Sequence, residues 1–138
     1  MRLRPYNLLF MLMRVGSGNR VAYNGIIEAL DRIKADPDLE IELVEEEDDV
    51  CALCRYMTEK GCGRGAEHVR RAKALNDRVA KALGLKYGTV MKAKPLFELT
   101  VKRIPEPIPV MGAGYFGGPE GDAEATRLYR LGILKGLW

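Results

Sequence analysis

The chain has 138 residues, 47% of them apolar and 30% charged, with a formal net charge of +3. That length holds one domain with a real core and is short for two, and the balance excludes a disordered or membrane-embedded chain. The small net charge hides a segregation: nine carboxylates lie between Asp36 and Asp49 with no basic residue among them, and the remaining ten acids face twenty-two Lys and Arg, leaving about +12 elsewhere.

Arg2 and Arg4 precede the apolar run Leu8 to Met13 as the charged region of a targeting segment would. Arg14 interrupts the run, no small-residue cleavage site follows, and a membrane span needs about 20 apolar residues, so a cytoplasmic, reducing setting without membrane attachment is expected. Pro5 suits a first helical turn, and Tyr6 to Val15 continue as a centrally buried helix until Gly16-Ser17-Gly18-Asn19 stops it. Tyr23, Ile26, Ile27, Leu30 and Ile33 then form one face of an amphipathic helix that Asp36-Pro37 breaks. Leu39 to Leu43 alternates apolar and acidic residues, which predicts a half-buried strand, and its row of like charges argues against a central position.

The segment from Asp48 through Gly65 reads as a loop with at most one helical turn, its glycines able to adopt positive φ around an ion. Val69, Ala72, Leu75, Val79 and Leu83 predict a helix with a basic opposite face (Arg70, Arg71, Lys73, Arg78, Lys81), closed by Gly84. Tyr87 to Met91 reads as extended, and Pro95 as the start of a helix carrying Leu96, Phe97, Leu99, Val101 and Ile104. The alternate prolines of Ile104 to Pro109 forbid helix and predict a stiff extended connector. A glycine-rich loop and a last helix, Asp122 to Leu137 with Ala125, Leu128, Leu131 and Leu134 as its stripe, complete an arm able to fold back or to dock onto a second copy. The expected fold is α+β, mainly α: a helical domain over residues 1–104 with a short strand element and a cysteine loop, then a connector and C-terminal helix over 105–138.

Chemistry concentrates in the only three cysteines, Cys51-Ala-Leu-Cys54 and Cys62. Two sulfurs two residues apart can face one ion, and a third after a glycine-containing excursion can close three corners of a tetrahedron, so the spacing points to Zn²⁺ or an iron–sulfur cluster. The adjacent carboxylates Glu45 to Asp49 raise the cost of free thiolates and disfavour a metal-free nucleophilic or redox cysteine. His68, the only histidine, is the expected fourth ligand; an oxygen from Asp48 or Asp49, or an open position, are the alternatives. A Cys51–Cys54 disulfide or ordinary buried cysteines are the competing structural readings.

Arg4-Pro5-x-x-Leu8-Leu9, the run Asp48-Asp49-Val50-Cys51-Ala-x-Cys54, Cys62, and Val69-Arg-Arg71 leading to Ala82-Leu83-Gly84-Leu85 together resemble domain-of-unknown-function family 1284 of bacteria and archaea over about residues 2–104. Its members are described as iron–sulfur-binding proteins without an established activity, so the resemblance implies a metal site and no reaction. This chain departs from the family's early His-His-Leu-Leu-Cys motif, reading Tyr6-Asn7-Leu8-Leu9-Phe10. If that cysteine is the usual fourth ligand, Phe10 removes it here.

Other signals are weaker. Gly112-Ala-Gly114-Tyr-Phe-Gly117 spells a dinucleotide-loop motif, but only the proline-laced Ile108 to Met111 precedes it, Pro119 follows, and no parallel partner strand or ribose-binding acid comes after, so it is read as a flexible loop. Gly132 and Gly136 have the spacing of close helix packing, Met11, Met13 and Met91 read as core filler, and Trp138 with Leu137 as an anchor. No Ser-His-Asp set can be assembled from one histidine, and no residue pattern names a substrate, so an enzymatic role is left open. The expected function is metal binding through Cys51, Cys54, Cys62 and His68. The competing class is a metal-free homo-oligomeric interaction protein joined through residues 105–138 with a basic helical face; no nucleic-acid motif accompanies that face, so nucleic acid is not the expected partner.

Overall fold

The structure, a computed structural model, describes residues 1–18 and 24–138. Tyr23 and Asn19, which figured in the helix boundaries above, lie outside the described residues. The rest forms a mainly helical α+β domain built around one helix, α1 (Pro5–Ser17). Pro5 occupies its first turn, where a missing N–H costs nothing, and Gly18 closes it in the left-handed conformation at φ 58°. Leu8, Leu9, Met11 and Leu12 are all buried, and α2 (Asn24–Ala35), α3 (Ala66–Leu83), α4 (Ala93–Arg103) and α6 (Pro119–Lys135) all pack against α1. A helix apolar on nearly every side is stable only when enclosed in this way. Within α2, Ile26, Ala29, Leu30 and Ile33 form the buried stripe.

A three-stranded sheet lies beside the helices in the order β1 (Arg2–Leu3), β2 (Glu40–Leu43), β5 (Val90–Lys92), with β1 parallel and β5 antiparallel to β2. The acidic strand is therefore central, against expectation. Its neighbours supply the reason: Arg2 sits opposite Glu42 and Lys92 opposite Glu40, so each carboxylate faces a cation across the ladder while Ile41 and Leu43 turn into the core. The acidic run is spread over the molecule in the same spirit. Glu45 pairs with Lys73 of α3 at 3.3 Å and Asp38 with Lys92 at 3.7 Å.

Two further differences have local causes. Val69 belongs to the periodic stripe of α3 but is exposed, because the first turn of that helix overhangs the core; the buried face is Ala72, Leu75, Asn76, Val79, Ala80 and Leu83. The proline connector is not wholly extended, since Ile108–Met111 forms a single helical turn, α5, with Pro109 at a position in the first turn that needs no N–H.

The C-terminal arm folds back. Helix α6 has its most extensive packing against α1, and its buried face is Ala125, Tyr129 and Gly132 in place of the leucine stripe; Leu134 is 81% exposed. Two glycines decide this rotation. A Cβ on Gly132 would lie 1.8 Å from the Leu12 carbonyl oxygen, and one on Gly16 would lie 1.8 Å from that of Leu128, so the backbones touch where no side chain fits. Tyr129 is fully buried and donates its hydroxyl to the Ile104 carbonyl at 2.6 Å, and Trp138 packs edge-to-face on Phe97 at 6.0 Å.

Gly132→Ala tests this contact. Alanine raises intrinsic helix propensity by about 1 kcal/mol, yet the forced separation of α1 and α6 should leave a net loss of about 1–3 kcal/mol in urea unfolding. Unchanged or increased stability would show that the two backbones are not in contact.

Candidate functional site

Asp48 organises the region around the cysteines. Its carboxylate is only 4% exposed and accepts the Arg4 backbone N–H at 2.7 Å, the Asn7 side-chain amide at 2.7 Å and the Cys51 backbone N–H at 3.0 Å. Asp49 adds a reciprocal pair with Arg2: its side chain accepts the Arg2 N–H and its own N–H donates to the Arg2 carbonyl, both at 3.0 Å. The acidic end of the run thus spends its charge on backbone donors, as a buried carboxylate must.

Cys51 begins a short 3₁₀ turn, Cys51–Leu53, which the Cys54 N–H closes on the Cys51 carbonyl at 3.0 Å. Cys54 itself is extended, at φ −76° and ψ 130°, so the chain leaves the turn at the second cysteine. The chain continues into a two-stranded hairpin, β3 (Met57–Thr58) and β4 (Gly61–Cys62), that sets Cys62 opposite Met57, itself tied to the Cys54 carbonyl by its N–H at 3.0 Å. Gly63 allows the return: a Cβ there would lie 2.8 Å from the Tyr56 carbonyl oxygen, which accepts the Gly63 N–H at 2.7 Å.

The three sulfurs have different surroundings. All are free thiols, so the disulfide reading is not realised. Cys51 is buried, and its Sγ accepts a hydrogen bond from Arg4 Nη2 at 2.8 Å. Burial pushes its thiol up to about 11, against a hydrogen bond from the Asp48 backbone, with the Asp48 carboxylate adding to the rise and the Arg4 guanidinium opposing it, so Cys51 is neutral at physiological pH. Cys54 and Cys62 are partly exposed on the 3₁₀ turn and the hairpin.

His68 lies in the first turn of α3, half-buried; burial, then Arg64, Arg4 and Arg71, lower its pKa and so favour the neutral imidazole. Arg4 stacks over Tyr6 at 4.9 Å from the ring centre, and its buried Nε has no hydrogen-bond partner among the described residues. Phe10 packs edge-to-face between Tyr6 and Phe116.

The Met57 N–H and the hairpin register thus link the turn that carries Cys51 and Cys54 to the strand that carries Cys62, and the side chains do not form a metal site. No three His, Cys, Asp or Glu among the described residues converge as an ion would require. The donor set suits a soft ion; its present arrangement does not form a tetrahedron, with Cys51 turned inward to Arg4.

Sequence reasoning missed Asp48 as a structural acceptor and missed Asn76. The latter is fully buried on α3, donates to the Val44 and Glu45 carbonyls at 3.2 and 3.3 Å, and accepts the Tyr6 N–H at 3.4 Å. Its place in the apolar stripe, between Leu75 and Val79, is the signal that would have marked it.

The protein-family model described as a protein of unknown function, DUF1284, matches residues 21–111, and the chain belongs to that family. The match includes all three cysteines and His68, and it starts and ends later than the 2–104 drawn from the motifs. No curated protein and no solved structure matches the chain. No helix among the described residues is long and apolar enough to cross a membrane.

After chelation, thiol titration at about pH 8, near the ordinary cysteine pKa, should show two fast sulfurs and one slow. The slow one should speed up as pH approaches the Cys51 value of about 11 and vanish in Cys51→Ala. Three equal rates, or a slow phase that survives Cys51→Ala, would contradict this assignment.

Proposed function

We propose that this member of the DUF1284 family binds a soft metal centre, Zn²⁺ or an iron–sulfur cluster, through Cys51, Cys54, Cys62 and His68. The observation that carries the reading is the hairpin Met57–Cys62, whose register returns the third cysteine to the strand that leaves Cys54. The 3₁₀ turn supplies the second support, since it keeps Cys54 within one turn of Cys51, its N–H bonded to the Cys51 carbonyl. A thiolate at Cys51 would retain the Arg4 hydrogen bond, and N–H donors of that kind are a normal surrounding for metal-bound sulfur.

The sulfurs as they stand do not form the tetrahedron, so binding requires the loop to close around the ion and its energy to offset that closure. No reaction is derived for the site. The chemistry supplied by the bound centre would be structural or electron-transferring according to its identity.

Protein purified without oxygen should contain stoichiometric iron or zinc by elemental analysis. Visible charge-transfer absorption would accompany iron, and its absence with bound zinc would identify the latter. Cys54→Ser and Cys62→Ser should each reduce bound metal to trace while leaving the helical circular dichroism intact. Metal-free wild-type protein would overturn the reading, and full metal content in Cys62→Ser would overturn the ligand set.

A further inference from the structure

A second site stands apart from the cysteine loop, in a cleft of about 270 Å³ between α3 and the loop Gly112 to Tyr115. Its charged lining is wholly basic: Arg71 and Arg78, two turns apart on one face of α3 with Ala74 between them, and no carboxylate. Arg78 donates Nε to the Val110 carbonyl at 3.0 Å and Nη2 to that of Met111 at 2.9 Å, which pins the loop to the helix without neutralising the cation. Arg71 is exposed and makes no hydrogen bond or ion pair among the described residues.

The opposite wall is built to remain open. Gly112 and Gly114 have φ of 98° and 83°, and a Cβ on either would meet nothing within 4 Å, so bare backbone alternates with Met111 and the small Ala113 along this wall. Asp122 holds this loop in place, accepting the Gly114 N–H at 2.6 Å and the Phe116 N–H at 3.2 Å, and it is not part of the cleft lining. The Tyr115 ring completes the wall. The loop read from the sequence as flexible is therefore anchored at both ends.

We propose that this cleft binds a small molecule carrying a phosphate-type anion, with the unpaired Arg71 guanidinium as its principal contact and the Tyr115 ring beside the remainder of the ligand. A guanidinium presents two parallel N–H donors that match two oxygens of such an anion. The open glycine wall lets the ligand approach the backbone, and no carboxylate lines the cleft, Asp122 being engaged on the Gly114 and Phe116 N–H groups. Ala74 lies on the floor between the two cations, and its small side chain leaves the space clear.

Calorimetric titration of the full chain with inorganic phosphate, and separately with adenosine monophosphate, tests the proposal. Saturable binding of at least one probe is expected. Arg71→Gln should weaken it about tenfold to a hundredfold, as loss of a charge-assisted hydrogen-bond pair does. Ala74→Glu should abolish it by placing a carboxylate in the cleft. Arg32→Gln, on α2 and outside the cleft, removes the same charge and should leave binding unchanged. Tighter binding of the nucleotide than of phosphate would assign the ring wall to the ligand's organic part; equal binding would assign the site to the phosphate group alone. No saturation with either probe up to about 10 mM, or wild-type affinity in both Arg71→Gln and Ala74→Glu, would overturn the site. An equal loss in Arg32→Gln would also overturn it, by showing a general effect of net charge.

Discussion

One buried carboxylate holds the two halves of the molecule's polar interior together. Helix α1 has no acidic residue in its first turn and no side-chain cap of its own. Asp48, distant by 44 residues in the chain, supplies the missing acceptor to the Arg4 N–H and the Asn7 amide, and places negative charge at the positive end of the helix dipole. The same carboxylate receives the Cys51 N–H and so starts the 3₁₀ turn. Because one group serves the helix entrance and the cysteine loop at once, the inward position of Cys51 and its contact with Arg4 follow from the way α1 is capped.

The other organising contact is between backbones. Gly16 and Gly132 let α1 and α6 touch, and Tyr129 then reaches the end of α4 through the Ile104 carbonyl. Both of these closely packed helices lie outside the family-matched span of 21–111. The matched part contributes α2, the cysteine loop, β2, α3 and α4, and of these α2, α3 and α4 join the flanking α6 in enclosing α1.

Long, strongly periodic elements were legible in the sequence, and short ones were not. Helices α1 to α4 follow apolar spacing and their proline and glycine boundaries, and β2 follows strict alternation. The two-residue strands β1, β3 and β4 are too short to carry any period, and the turn at Ile108–Met111 hides among prolines that usually mean extension. The central position of β2 could not be inferred because the cations opposite it in register, Arg2 and Lys92, are remote in sequence. The face of α6 was misjudged for a related reason: leucine spacing points to one stripe, whereas the mutual fit of two glycines selects another. At the cysteines, spacing marked three candidate sulfurs and a single turn, but the direction of Cys51 depends on Asp48 and Arg4. The role of those two residues exists only once the fold has brought them together.

Equilibrium urea unfolding of Asp48→Ala probes the central constraint most directly. The substitution strands the Arg4, Asn7 and Cys51 donors in the interior, and a loss of about 3 kcal/mol or more is expected, given about 1–3 kcal/mol for each unsatisfied buried group. A change within about 0.5 kcal/mol, the range of an ordinary surface substitution, would mean that this carboxylate does not hold the helix entrance and the cysteine loop together.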